Sequence, residues 1–151
     1  MNQLSRDHRV EIESFLSEHK AFCLSTISVE NQVSSAPLYY VHDDFLKLYF
    51  CSDETAEHSV NLVLHKNVAA SIYREGHTFS EINGLQMKGQ CEVLTETSKV
   101  RDLYINKFNE LSENETMLKR FDALKMYCFK VNWLRWIKME AGKPTRVESF
   151  L

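Results

Sequence analysis

The chain has 151 residues, a mass of 17.7 kDa and a formal net charge of -3, with 44% hydrophobic and 26% charged residues. This length favours a single domain over residues 1–151, which buries roughly 70% of its unfolded surface without disulfide or metal staples. The composition excludes collagen-like, low-complexity and disordered chains. The slightly acidic charge balance gives no basis for binding nucleic acid or an anionic membrane.

Cysteine usage and hydropathy indicate a cytoplasmic protein. The four cysteines are widely spaced and form no C-x-x-C pair, so neither a disulfide framework nor a zinc site is expected. No apolar run is long enough to cross a bilayer. The first nine residues are too polar for a signal peptide. We therefore expect a reduced, cytoplasmic domain without a metal.

The first third of the chain predicts a helix and three strands. Ser5 is a suitable N-cap for a helix that ends near His19. Runs of β-branched and aromatic residues then predict strands over 21–28, 32–41 and 45–51, with turns at 29–32 and 42–44. Pro37 falls inside the second strand. Because proline cannot donate to a ladder, it marks an edge, a bulge or an opening of the sheet.

A second helix is predicted over 54–65, directly after the third strand. Ser52 and Asp53 are its expected N-terminal caps. Residues at helical spacing predict the apolar stripe that would face the core. This stripe consists of Ala56, Val60, Val63 and Leu64.

The rest of the chain predicts two further strands, two helices and a long aromatic strand. The strands cover 68–74 and 85–95, and an amphipathic helix covers 100–111. Ser112 and Glu115 form a capping box for a further short helix. Residues 124–140 predict one bent strand or two strands, with a break near Asn132. The predicted fold is α+β and mostly β, a six-stranded antiparallel barrel with peripheral helices.

Motif searches exclude several enzyme classes. The chain has no G-x-S-x-G elbow, no P-loop and no G-x-G-x-x-G fingerprint. His58 and His65 share one helix face, but no further ligand accompanies them, so we interpret them as solvent-facing or helix-end residues. The basic C-terminal region contains Trp133 and Trp136. It is either a surface for a phosphorylated aromatic ligand or, as we favour, a strand with its tryptophans inward and its lysines outward.

The joint between the third strand and the second helix carries hydroxyl groups where a helix begins. A helix N-terminus presents unpaired N–H groups and positive potential, which suits a phosphate. Ser52 and Asp53 are also good capping residues, and capping alone explains them. The joint by itself therefore leaves both interpretations open.

Three segments, in this order, resemble one known family. They are a strand-to-helix joint, a strand and a glycine-containing strand: LKLYFCSDETAEHSVNL, NVAASIY and GLQMKGQCEVL. Together with the helix and the Pro37 strand before them, they are similar to the FMN-binding split-barrel family typified by pyridoxamine 5′-phosphate oxidase, and to its short bacterial branch. The resemblance covers residues 21–94 well and the C-terminal region more loosely.

The resemblance implies a six-stranded split barrel that forms a homodimer, with FMN in a groove between the subunits. The main chain of part of the second strand would run along the edge of the isoalloxazine ring. This part consists of Ser35, Ala36, Pro37 and Leu38. A strand interrupted by proline has amide donors and acceptors available to such a ring.

The resemblance also assigns residues to the phosphate end of the cofactor. Ser52 matches the hydroxyl residue that caps the phosphate, and Thr55 and His58 lie close behind it. Gln86 matches a glutamine that helps to hold the cofactor. Lys88 shares a strand face with Gln86 and adds positive charge.

The chain departs from the family pattern at this phosphate loop. Relatives often carry Arg or Lys near position 57, whereas this chain has Asp53, Glu54 and Glu57. Like charges a few ångströms apart cost on the order of several kcal/mol, unless the acids point into solvent. Such a cost lowers FMN affinity by orders of magnitude.

The phosphate would then depend on backbone amides, hydroxyl groups and positive charge from elsewhere in the chain. His58 as an imidazolium is one expected source of that charge. Arg74 and Lys88 are the other candidates in the sequence.

Two functions from different classes follow. The leading hypothesis is a flavin-dependent oxidoreductase acting on a nicotinamide nucleotide or an unknown small substrate. Its catalytic residues are unknown, although Tyr39, Tyr40 and His58 would lie near the groove. The C-terminus lacks an Arg-x-His phosphate clamp, which argues against pyridoxamine phosphate as the substrate.

The alternative is a non-catalytic split-barrel module that binds flavin, deazaflavin or haem, or that has no cofactor. The acidic phosphate loop favours this alternative. A third hypothesis is an unrelated small barrel that binds an apolar ligand and stays monomeric.

Overall fold

The computed structural model describes residues 4–43, 46–76 and 78–151. Its helices are α1 Arg6–Glu18, α2 Glu57–Leu64, α3 Ser98–Lys107, α4 Glu110–Glu113 and α5 Glu115–Asp122. Its strands are β1 Ala21–Ile27, β2 Val33–Tyr39, β3 Val41–His42, β4 Lys47–Ser52, β5 Asn67–Arg74, β6 Asn83–Val93, β7 Lys125–Glu140 and β8 Lys143–Phe150. A short 3₁₀ turn, Phe79–Glu81, precedes β6. The ends of the predicted turn 42–44 and strand 45–51, at positions 44 and 45, lie outside the described residues.

The mostly antiparallel sheet confirms the predicted class, but within the described residues it has eight strands rather than six. One extra strand arises because the predicted strand 32–41 splits at Tyr40 into β2 and β3. The other is β8, which pairs with the second half of β7. The two-residue turn of Ala141 and Gly142, both with positive φ, connects these last two strands; alanine is unusual at its first position, so the sequence carries a weak hairpin signal here.

The sheet curls so that its two ends meet. Its strand order is β2-β1-β5-β6-β7-β4-β3, and the terminal strands β2 and β3 are joined through Tyr40 alone. The Tyr40 amide donates to Lys20 O (3.0 Å), and its buried hydroxyl donates to Leu16 O (2.7 Å). Tyr40 therefore fixes the corner at which the half-barrel turns back on itself.

Two hydrophobic clusters hold the fold together. The barrel core lies between α1 and the inner sheet face, where Phe15 packs edge-on to Trp136 and Phe22 packs edge-on to Phe50. The helical core lies under α3, α4 and α5, outside β3 and β4. Its buried members are Val41, Tyr49, Val100, Tyr104, Phe108, Phe121, Met126 and Cys128.

The long strand β7 is one bent strand, and its bend is a bulge. Its register with β6 shifts between Lys88 and Gly89, which leaves Asn132 unpaired. A Cβ at position 89 would overlap the Lys130 carbonyl, so this close approach requires glycine. Trp136 points inward and is buried, as predicted, whereas Trp133 lies on the outer face.

Helix α2 begins later than predicted and presents the opposite face to the core. Its N-cap is Ala56, because Asp53 instead forms a turn with Thr55. The predicted apolar stripe is wrong. Val60, Val63 and Leu64 are exposed, whereas the buried residues of this helix are Ser59, Asn61 and Leu62.

The predicted capping box before the last helix is also wrong. Asn114 is the N-cap of α5, and its side-chain oxygen accepts from the Met117 amide (3.0 Å). The Ser112 hydroxyl instead donates to Asn109 O within the preceding turn. The helix predicted over 100–111 ends at Lys107, and α4 follows as a separate turn.

Candidate functional site

The edge of β2 directs polar main-chain groups away from the sheet. The Tyr40 amide bonds to β1, so the alternate residues Ser34, Ala36 and Leu38 also face β1. Ser35 and Pro37 consequently direct their carbonyl groups outward. Proline loses no ladder bond at such a position, which explains its place in an edge strand.

Four of the predicted site residues lie in two neighbouring rows across the outer sheet face. The first row is Ser35, Ser25, Ala69, Lys88 and Trp133. The second row is Pro37, Cys23, Ser71, Gln86 and Arg135. Small side chains form the middle of both rows. They separate the β2 edge from the β6 residues by three strand intervals, or about 14 Å.

The β6 end of these rows carries a cationic and aromatic group. The Lys88 ammonium lies 4.7 Å from the centre of the Trp133 ring, and the Arg135 guanidinium lies 5.2 Å from it. Arg135 also donates to Gln86 Oε1 (3.2 Å) and pairs with Glu148 (2.6 Å). Gln86 and Lys88 therefore belong to one exposed cluster, as their alternation along the strand predicted.

The start of α2 brings together the other predicted residues. Ser52 Oγ and His58 Nε2 are 2.7 Å apart. Burial lowers the pKa of His58, which disfavours the expected imidazolium. The Thr55 hydroxyl donates to Asp53 Oδ1 (2.7 Å), so that hydroxyl already has an anionic partner.

The three acids of this loop do not converge on one point. Asp53 accepts both the amide and the hydroxyl of Thr55, and Glu54 pairs with Lys125. Glu57 is exposed in the first turn of α2. The repulsion expected from three clustered carboxylates is therefore reduced by local partners and by solvent.

A cavity beside the start of α2 contains residues that sequence reasoning missed. Its volume is about 650 Å³, and Thr55, Ser59, Lys66 and Lys125 are among its lining residues. The buried Ser59 hydroxyl has no hydrogen-bond partner within the part of the chain that the structure describes. A serine in the middle of a predicted helix with an apolar stripe was a signal of this site.

The structure separates the two groups of predicted phosphate residues. Ser52 pairs with Lys125 and Lys88 pairs with Trp133, so the two pairs are eight residue steps apart along β7. At about 3.3 Å per residue this separation is about 26 Å. A single phosphate cannot contact both groups within one protomer. Arg74 is no closer, because its partner Asn83 pairs with Lys138, farther along β7 from Lys125.

The two tyrosines considered as proton donors differ sharply. Burial raises the pKa of Tyr40, and its hydroxyl is already bonded to Leu16 O, so it has a structural role. Tyr39 is 65% exposed, and its carbonyl accepts from the Tyr104 hydroxyl at 2.8 Å.

Residues 4–43, 46–76 and 78–151 contain no group of three or more His, Cys, Asp or Glu side chains placed to hold a metal ion. No helix in these ranges has the length and apolar character needed to span a membrane.

Comparison with known proteins decides the family. The sequence model for pyridoxamine 5′-phosphate oxidase matches residues 9–132. The chain belongs to the pyridoxamine 5′-phosphate oxidase family. No curated protein gives a significant match to this chain.

Solved structures share its split-barrel fold at low sequence identity. A Clostridium acetobutylicum protein related to general stress protein 26, of the pyridoxinephosphate oxidase family, is 13% identical with a TM-score of 0.67, covering 95% of this chain and 96% of that one. HutZ, a haem storage protein from Vibrio cholerae, is 15% identical with a TM-score of 0.66, covering 93% and 94%.

A third structure, the conserved hypothetical protein Rv2991 from Mycobacterium tuberculosis, is 17% identical with a TM-score of 0.72, covering 89% and 84%. At such identities the likeness establishes the fold alone.

Proposed function

We propose that the protein is a dimeric, FMN-binding member of this family and a flavin-dependent oxidoreductase for an unidentified small substrate. The observation that carries the proposal is the open edge of β2, which directs the Ser35 and Pro37 carbonyls away from the sheet. The family match over residues 9–132 supports the same assignment.

The donor groups at the start of α2 fit a phosphate better than the sequence suggested. The first amides of this helix are oriented toward its N-terminus, next to the unpartnered Ser59 hydroxyl and to Lys66 and Lys125. Glu54, which pairs with Lys125, and Glu92, which pairs with Lys130, also line the cavity and offset this positive charge. Ser52 and His58 contribute polarity, and the lowered pKa of His58 disfavours its charged form.

The groove proposed for the cofactor needs two copies of the chain. Gln86 and Lys88 lie too far from Ser52 to contact the same phosphate within one protomer, so we assign them to the site of the partner protomer. The exposed apolar face of α2, formed by Val63 and its neighbours, supports association because exposed apolar patches mark interfaces.

In this proposal the chain binds and orients, and the cofactor supplies the chemistry. FMN, when bound, provides a ring that accepts and returns a hydride. Main-chain groups at the β2 edge would hold the edge of the ring. Their dipoles would influence the reduction potential of the bound flavin. All four cysteines are free thiols, which supports our further proposal of a cytoplasmic location.

A second candidate function is haem binding without catalysis, which the similarity to HutZ favours. The absorption spectrum of the purified protein distinguishes the candidates. Flavin bands that appear with FMN and bleach with a nicotinamide nucleotide support the oxidoreductase. A Soret band with added haemin, and no flavin uptake, contradicts it, as does a colourless protein that takes up neither.

A charge-reversal pair tests where the phosphate lies. Glu57→Arg places a cation in the first turn of α2, and we expect it to tighten FMN binding by about tenfold. Glu115→Arg makes the same change in the first turn of α5 and serves as the matched control. Equal effects of the two variants on FMN fluorescence titrations would exclude the α2 position.

A further inference from the structure

A second cavity lies outside the proposed flavin groove, between the helices α3, α4 and α5 and the ends of β2 and β4. Its volume is about 310 Å³, near the lower end of the roughly 300–1,000 Å³ of small-molecule sites. Its walls are four aromatic rings and two sulfur-containing side chains. They are Tyr39, Tyr104, Phe108, Phe121, Cys51 and Met117.

The aromatic walls are held in fixed orientations. The Tyr39 and Phe108 rings meet edge to face, with centroids 5.5 Å apart and an interplanar angle of 64°. The Tyr104 and Phe108 rings are stacked at 5.7 Å. The Tyr104 hydroxyl donates to Tyr39 O (2.8 Å) and Tyr49 O (3.2 Å), which anchors the ring between two strands. The cavity therefore presents ring faces and edges in a rigid arrangement.

The cavity offers no net charge to an occupant. Burial raises the pKa of the Cys51 thiol, which interacts with the Tyr104 hydroxyl, so it is neutral at pH 7. The charged lining residues, Lys20 and Glu110, are exposed and of opposite sign. An ionised ligand would lose hydration here without gaining a dedicated partner.

We propose that this cavity binds a small, uncharged, planar aromatic molecule of one or two rings. Offset stacking and edge-to-face contacts with the four rings favour a flat aromatic body. The sulfur atoms of Cys51 and Met117 add favourable contacts with a ring edge. Tyr39 ends β2, so the occupant lies beside the strand to which the flavin edge is assigned, although binding itself does not depend on flavin.

Methionine methyl NMR of the flavin-free protein tests the proposal, with 2-naphthol as the probe. We expect the Met117 methyl signal to shift saturably, while those of Met87, in the barrel core, and Met139, on β7, stay in place. Sodium 2-naphthoate is the charged counterpart and should bind at least about tenfold more weakly. An unmoved Met117 signal, or equal binding of the two probes, overturns the proposal.

Two tryptophan variants locate the bound probe. Met117→Trp fills the cavity from its exposed wall, and we expect it to weaken 2-naphthol binding by about tenfold or more. Phe79→Trp changes a highly exposed residue on the 3₁₀ turn and should leave binding unchanged. If Met117→Trp binds 2-naphthol as tightly as the wild type does, the assignment of the probe to this cavity is overturned. Failure of the wild-type protein to take up FMN would contradict the proposed function but not this assignment.

Discussion

Helices α1 and α2 both pack against the sheet, yet they bury opposite kinds of residues. Helix α1 buries Ile12, Phe15 and Leu16. Helix α2 buries Ser59 and Asn61 beside one leucine and exposes Val63 at 76%. The first arrangement is the usual one for a helix that stabilises a core.

Hydrogen bonds, rather than an apolar stripe, hold α2 against the sheet. Asn61 Nδ2 donates to Thr26 Oγ1 (3.0 Å) and Ser34 Oγ (3.4 Å), which ties α2 to β1 and β2. A helix placed in this way contributes less to the core and leaves its apolar side for a partner. The burial of apolar residues by α1 favours stability, whereas the exposed apolar side of α2 is consistent with the site and interface proposed above.

The largest expected effect is on α1. Phe15→Ala removes a ring that packs 4.7 Å from the centre of Trp136. We expect it to lower the free energy of unfolding by about 3–5 kcal/mol. Urea unfolding followed by circular dichroism measures this loss. A loss no greater than that of the α2 variants below would remove the contrast between the helices.

A smaller loss of unfolding free energy is expected for the buried Asn61 of α2. Asn61→Leu keeps the side-chain size but removes both donated hydrogen bonds, at a cost of about 1–3 kcal/mol in unfolding free energy. Asn106→Leu, on the exposed surface of α3, is the matched control and should cost little. If Asn61→Leu is as stable as the wild type, the hydrogen bonds of Asn61 to Thr26 and Ser34 are not required to hold α2 against the sheet.

Exposed valines on α1 and α2 should differ in their effect on the proposed dimer. Val63→Lys on α2 should weaken the proposed dimer by about tenfold or more, with little change in folding. Val10→Lys on α1, where the wild-type valine is also exposed, should leave it unchanged. Sedimentation velocity at several concentrations measures both. Identical behaviour of the two variants would mean that α2 does not form the interface.

The smallest expected effect is a pH dependence from the histidine at the start of α2. The folded pKa of His58 lies below the 6.5 of the unfolded chain, so the unfolded state takes up the proton first as the pH falls. Unfolding free energy should therefore decrease from about pH 7 to pH 5. His58→Gln should reduce this slope, which urea unfolding at each pH would reveal. His42, whose pKa burial also lowers, accounts for a remaining part.

The sequence predicted the sheet well because strand signals are local. The bounds of β1 and β5 agree with prediction to within one residue, and Pro37 correctly marked an edge strand. The splitting at Tyr40 could not be predicted, because it depends on contacts with Leu16 and Lys20 from elsewhere in the chain. The missed strand β8 depends on pairing with β7 in the same way.

The site was less predictable, because periodicity does not say which face of a helix meets the core. Val60 and Val63 were assigned to the core on apolar character, whereas tertiary hydrogen bonds of Asn61 decide the orientation. The lowered pKa of His58 likewise follows from burial, which composition does not reveal. Alternation alone was sufficient to place Gln86 and Lys88 on one face.

Subunit complementation tests most directly whether two protomers share each cofactor site. Ala56→Asp puts a carboxylate at the N-cap of α2, where aspartate favours folding but repels phosphate. Lys88→Glu reverses the charge of one of the two cations in the β6 cluster, and each variant alone should lose FMN binding. After mixing and subunit exchange, half of the dimers are mixed and each has one intact site, so about one quarter of the sites should bind FMN again. No recovery in subunits shown to exchange, or full binding by either variant alone, would contradict a site built from both protomers.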